Sequence, residues 1–537
     1  MRRPFSVRKA AWLLVGALVT PAAPSVARET VDASAPQSLA VTLYRDPNRE
    51  QDQPMNRNWP QGFAMITETR QVTLPPGEAT IRFEGVAEGM VAVSAIVTGL
   101  PGGTLEKNRN ADLLSPAALV DGTLGNRVTI TRTNPATGAE VAEEAVVRTR
   151  ADGGLVLQTE QGFEAVRCSG IPERMTFDRV PQDLSAQPVY AINTNSTAGG
   201  TYTIQLTYLA WGFDWQAHYV AQIAEGGDAQ NMRMGLTSWL TLLNDNGQSF
   251  ADAELLVVAG RLNVTSDYRA LATAPRARGL NLTCYPLGST AEGTPVDSLM
   301  PPPPPPPPPP MAAPAAIVLT GSRRMEDELS RLPQFVAAEE QLGDLKLFRV
   351  PERVTVSAKG LKQVAFLHRE EVKGKLVYQG QCEPWNVQAD PVAAGMRFET
   401  VNDDAHGLGA AMPMGGISFF EPSTAGELLV AEQQLRDHAE GQDVEIEIGH
   451  SAQVFVTCEV TDGRDPSVGW ATVRATITNA NPAPVPFRFL LGEPGQWSFR
   501  QMRDLRVKDG VRVRDVTVPA NGQLVVNWQV RSAAVAQ

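Results

Sequence analysis

The chain has 537 residues, 43% of them hydrophobic, and a formal net charge of -12. That length gives room for two to four domains, each able to bury its own core. So acidic a chain is a poor partner for nucleic acid or anionic lipid, and neither is expected.

The first residues read as an export signal. Arg2, Arg3, Arg8 and Lys9 precede an apolar run over 10–19, and Ser25-Val26-Ala27 makes a small-x-small cleavage site. The run is too short to cross a bilayer, and no later stretch is long enough to do so. Cleavage after Ala27 removes those four positive charges. A periplasmic or exported mature protein with no membrane span is expected. Its four cysteines, Cys168, Cys284, Cys382 and Cys458, lie far apart without CxxC spacing. In an oxidising compartment they form up to two disulfides, with three pairings open, or else stay as buried thiols.

Residues 28–111 read as an N-terminal β-domain of strands and turns. Over 69–83 the sequence TRQVTLPPGEATIRF is strand, turn, strand. The design returns at 353–366 (RVTVSAKGLKQVAF) and at 513–528 (VRDVTVPANGQLVVNW). Three such edge hairpins point to repeated immunoglobulin-like sandwich modules, or to convergent hairpin chemistry. Over 112–175 the strands shorten, at 127–131, 145–149, 155–159 and 163–167, with turns at Asn134-Pro135, Asp152-Gly153-Gly154 and Gln161-Gly162. That spacing predicts a small β-barrel, serving as a spacer.

Residues 176–537 read as a C-terminal β-sandwich domain. Its heart is 202–262, where Tyr202, Ile204, Leu206 and Tyr208 alternate with polar neighbours, as Met232, Met234 and Leu236 do later. Asn244-Asp245-Asn246-Gly247 then turns the chain back. The stretch carries Trp211, Trp215 and Trp239. The domain is interrupted over 273–344 by a proline-rich flexible insert. Pro301 to Pro310 must form polyproline II, about 31 Å long at ~3.1 Å per residue. It serves as a solvated spacer or as a docking peptide for an aromatic groove. A short helix is expected over 325–336. At 424–438 a capping box, Thr424 and Glu427, predicts a helix on pattern alone.

Chemistry-bearing constellations are sparse. No Gly-x-Ser-x-Gly elbow occurs, and Gly449-His450-Ser451 falls at a strand end. The histidines, His218, His368, His406, His438 and His450, are scattered. Asp403-Asp404-Ala405-His406 is the nearest approach to a metal cluster, on a loop, where solvated polarity explains it as well. Glu459, Asp462 and Asp465 offer oxygens to calcium without the spacing of a known loop. No catalytic, cofactor-binding or metal-ligating residue is assigned, and no cofactor is expected.

Several motifs in order carry a family resemblance. Trp215-x-x-x-Tyr219, with Ala217 between, is similar to a Trp-x-Pro-x-Tyr element. Asn244 to Phe250 is similar to an Asn-x-Thr-Gly-Glu-Asp-Trp turn, with Gln248-Ser249 in place of the acidic pair. Met412-Pro413-Met414-Gly415 is similar to a Leu-Pro-x-Gly turn that enters a strand over 416–420. Residues 443–449 and 451–459, and then Ile477-Thr478-Asn479, are similar to later strands. Together, from about Thr201 to Val530, they resemble bacterial envelope proteins carrying domain of unknown function 4139, the group that includes mucoidy inhibitor A. The resemblance implies that 428–432 is a strand and that these residues are fold positions. It also implies a β-rich envelope protein without an established activity. A non-enzymatic interaction or structural scaffold is therefore expected, with envelope proteins or surface polymer as partners. The alternatives are an envelope-polymer hydrolase with a site assembled from distant loops, and a ligand or metal module around Asp403 to His406.

Overall fold

The computed structural model describes residues 28–280 and 338–536, apart from 52, 111, 135, 152–153, 167–172, 182–183, 225–227, 261, 264–266, 273, 343–344, 351 and 385–389. The expected leader, the proline run and the helix over 325–336 lie outside the described residues. So do Cys168 and Cys284. The protein is mainly β, 59% strand and 4% helix, in stacked open sheets.

Gly200–Ile223 is a 24-residue strand at the centre. Its first half pairs antiparallel with Gly62–Leu74, from Gly200 opposite Leu74 to Trp211 opposite Phe63. Its second half pairs with Met232–Asn244 and, in parallel, with Gly415–Ser423. The halves meet at a bulge, where Gly212 takes φ +89°, a conformation that glycine adopts without a steric penalty. Ser38–Tyr44 extends the sheet beside Gly62–Leu74, and Phe250–Ala259 runs parallel beyond it. A four-stranded sheet, in the order Glu29–Asp32, Gly77–Glu84, Val189–Ser196, Glu106–Arg109, shares the same core. Val72, Ile81, Phe83, Tyr190, Ile204 and Tyr208 all belong to it. The alternation seen in the sequence thus buries one face of each layer.

The N-terminal segment is not a separate domain, because its strands pair with 200–213 and complete that core. Nor are the three repeated hairpins hairpins. Gly62–Leu74 and Gly77–Glu84 lie in different sheets. Val354–Val356 pairs with Phe250–Ala259, while Gly360–Gln381 pairs with Met232–Asn244. Val511–Val518 pairs with Val485–Leu490, while Gly522–Ser532 pairs with Ala471–Asn479. Each turn is an arch that carries the chain from one layer to another, so both strands bury their apolar faces without pairing to each other.

The expected small barrel is an open sheet. Its order is Gly162–Ala165, Val156–Thr159, Glu140–Val147, Arg127–Thr133, Glu173–Phe177, and the two end strands do not pair. The helix Pro116–Gly122 shares the core of this open sheet, its Ala117 and Val120 packing with Val128, Ile130 and Leu157. Ser115 caps that helix, accepting from the Ala118 amide, with proline at the first turn. The sheet runs on to Phe177, past the expected boundary at 175. It also takes in part of the expected insert: Arg276 bonds through its carbonyl to the Leu113 amide, and Leu280 packs on the core. At the insert's other end Ala338–Leu342 and Leu345–Arg349 form a hairpin on Phe250–Ala259. The insert is therefore shorter than 273–344.

The second large core is a C-terminal sandwich built round Phe487, Phe489, Trp497 and Trp528. Two strands run into it from the first core. Gly360–Gln381 spends residues 360–374 beside Met232–Asn244 and residues 375–379 beside Val392–Val401. Asp443–Val460 buries Val444 and Ile446 in the first core, and Val454 and Val456 in the second. Cys382 and Cys458, 5.7 Å apart at Cα, form a disulfide within it. Gly426–Leu435 is a strand, as the resemblance implied over 428–432 and against the helical pattern. Its partner Gly415–Ser423 supplies ladder bonds that local capping does not match.

Candidate functional site

The residues singled out in the sequence are placed apart. Asp403 Oδ1 accepts from the His406 backbone amide at 2.8 Å and bonds the His406 ring Nδ1 at 2.7 Å, which holds the Asp403 carboxyl below its ordinary value. Ser451 is buried, and its Oγ accepts from the amides of Gln453 and Val454 at 3.0 Å. That role ties up the hydroxyl in a turn. Asp462 accepts from the Thr472 amide, Asp465 from Ser467, and Glu459 pairs with Arg474 at 3.5 Å. No group of three or more metal-ligating side chains occurs among the described residues.

The motif residues do come together, as parts of the fold. Tyr219 is buried and donates to the Pro413 carbonyl at 2.8 Å, joining the Trp215-x-x-x-Tyr219 element to the turn at 412–415. Gly415 closes that contact: a Cβ there would sit 2.0 Å from the Ala217 carbonyl oxygen. Asn244 Nδ2 donates to the carbonyls of Gln248 and Ser357, pinning the following turn.

The best-developed site is one that the sequence reading missed. Where Gly360–Gln381 passes from one core to the other, a cleft of about 560 Å³ opens between the turn at 230–233, residues 373–375, the end of Val392–Val401, the loop at 405–406 and Lys508. Its floor is a row across three strands, since Lys375 lies opposite Glu399 and Glu399 opposite Glu445. Two carboxylates facing each other repel unless bridged. Lys508 bridges them, 3.4 Å from Glu399 Oε1 and also paired with Glu445.

Behind the row stands Arg488, 2% exposed, a charge set within the apolar strand VPFRFL. Its guanidinium bonds both oxygens of Glu399 on one side and both of Asp515, its cross-strand neighbour, on the other. Lys375 reaches Glu399 at 3.3 Å, Arg397 reaches Glu445 at 2.8 Å, and Arg506 pairs with Asp515. Burial alone would raise the Glu399 carboxyl. The hydrogen bonds and charge of Arg488, with Lys508 and Lys375, instead bring it down to about 2. The Arg488 guanidinium is raised in turn, its burial being outweighed by Asp515 and Glu399. Asp403 and His406 stand beside this cleft, with His406 on its lining. The missed signal was a lone arginine inside an apolar strand, together with charges two apart at Lys373 and Lys375. No family model matches the chain, and no curated protein matches it.

Proposed function

We propose that the protein is an exported, non-enzymatic β-scaffold of the cell envelope and a divergent relative of the domain of unknown function 4139 proteins. The observation that carries this reading is the way single strands of 24, 22 and 18 residues run through the structure, two of them serving both large cores. A spacer built so transmits position, because continuous strands join its two large cores. The buried disulfide supports an oxidising compartment. The contact of Tyr219 with Pro413 supports the family resemblance, since it joins two of the motifs on which that resemblance rests.

The test uses the full chain, tagged at its C-terminus and expressed in a Gram-negative host. The expected result is a periplasmic protein whose N-terminus is Arg28 and which cross-links to an envelope protein or surface polymer. A cytoplasmic protein that keeps its leader, or an exported one that cross-links to neither, overturns the reading.

A further inference from the structure

Beyond a scaffold role, we propose that the cleft between the two large cores binds a small organic oxyanion, a carboxylate or phosphate carried on a polar body of sugar size. The inference begins with charge. In the network beneath the cleft five cations, Lys375, Arg397, Arg488, Arg506 and Lys508, share three carboxylates, Glu399, Glu445 and Asp515. On the lips Arg233 and Lys373 share one more, Glu371. With Asp443 on the lining counted too, these seven cations face five carboxylates, so a chain with a net charge of -12 has gathered a local positive excess at one joint.

The excess is presented to the cleft. Arg488 already occupies both oxygens of Glu399, so the two lysines hold that carboxylate only at 3.3 and 3.4 Å. Those distances are long for a charged hydrogen bond, which settles near 2.7–2.9 Å. Each ammonium has three donors. Lys375 is 47% exposed and makes no second ion pair among the described residues, so it keeps donors for a guest. An oxyanion seated against Lys375, with Lys508 beyond it already paired to Glu445, would take up the donors that Lys375 keeps.

The rest of the lining fits a polar body. Asp443 lines the cleft without an ion pair among the described residues and is an acceptor for hydroxyl groups. Gln230 adds an amide, and Met232 and Val401 give an apolar patch against which a ring can lie. A cavity of about 560 Å³ falls within the range of ligand sites and suits one or two sugar rings better than a macromolecule. The surrounding negative field opposes anions at long range, so binding depends on these short contacts and weakens with salt.

Calorimetry on the full-length protein distinguishes the sources of the oxyanion. Glucose 6-phosphate and glucuronate are titrated separately, with glucose as the neutral control. At least one anion is expected to bind while glucose does not, and the arm that responds identifies phosphate or carboxylate. The double variant Lys373→Gln/Lys375→Gln, both on one exposed strand face, is expected to weaken binding by about tenfold or more, one charge-assisted contact's worth. Arg233→Gln, on the neighbouring strand directly opposite Lys373 in register, provides a second variant should the first misfold by circular dichroism. Failure of both anions to bind overturns the proposal, as does binding that both folded variants and added salt leave unchanged.

Discussion

At the scale of single residues, stability at the strand ends depends on buried amides. Asn244, Asn402 and Asn479 are each almost fully buried, and each donates through Nδ2 to two backbone carbonyls. Asn402 ties Ala410 to Ala439, in two loops that are otherwise joined by the single antiparallel bridge of Met412 with His438. Asn402→Ala would strand both acceptors, at a cost of about 2–3 kcal/mol, read as a lower urea midpoint with unchanged slope. A second buried group works against its own charge. Asp214 bonds Arg49 at 2.8 Å, yet both are deep in the protein and burial outweighs their attraction. The Asp214 carboxyl is pushed up to about 6, above its ordinary value of 3.8. Its folded value exceeds its unfolded one, so its contribution is full below pH 3.8 and is lost as pH rises through about 6. Asp214→Asn should therefore flatten the pH dependence of unfolding free energy over that window. An unchanged profile would place the titration elsewhere.

At the scale of elements, alternation in the sequence revealed which face of each strand is buried but not its neighbour. A Val-Thr-Leu strand followed by Pro-Pro-Gly looks the same whether the chain folds back beside itself or crosses to a facing layer. What decides is the apolar surface waiting on the other layer, and that is supplied by residues more than a hundred positions away, such as Tyr190 and Ile192, which share a core with Val72. The same gap hid the cleft. Lys375, Glu399 and Glu445 are ordinary surface charges in sequence, and only cross-strand register makes them a row. The strand over 428–432 was legible through resemblance because its local pattern favoured a helix. Two elements can be tested directly. Gly415→Ala would drive a Cβ to 2.0 Å from the Ala217 oxygen and force the parallel pair apart, costing at least about 2 kcal/mol in chemical denaturation. Cys382 and Cys458 are 76 residues apart in sequence, and the chain-entropy cost of that loop is about 4.5 kcal/mol. Reduction, or the double change to serine, should lower the melting temperature of the transition that the two large cores share, while the small sheet over 127–177 keeps its own.

At the scale of the whole molecule, shared strands and separate cores predict how the protein comes apart. The two large cores cannot separate without breaking Gly360–Gln381 and Asp443–Val460 in mid-strand, so they should unfold in one transition. The small sheet has its own core with the helix Pro116–Gly122 and, among the described residues, no strand pairing to the rest, so it can open alone. Tryptophan reports on the first event only, since Trp215 lies in one large core, Trp497 and Trp528 in the other, and none lies over 112–177. Acid provides a way to reach the joint. Glu399 is held at about 2, below its ordinary 4.5, so its contribution is full above pH 4.5 and is lost as pH falls through about 2. Fluorescence followed from pH 5 to pH 2 should show a single loss of both cores, shifted to higher pH in Arg488→Met, while hydrogen exchange over 127–177 proceeds earlier and independently. Two fluorescence transitions would mean that the long strands break at the joint, and that the charge row beneath the cleft holds together two modules rather than one.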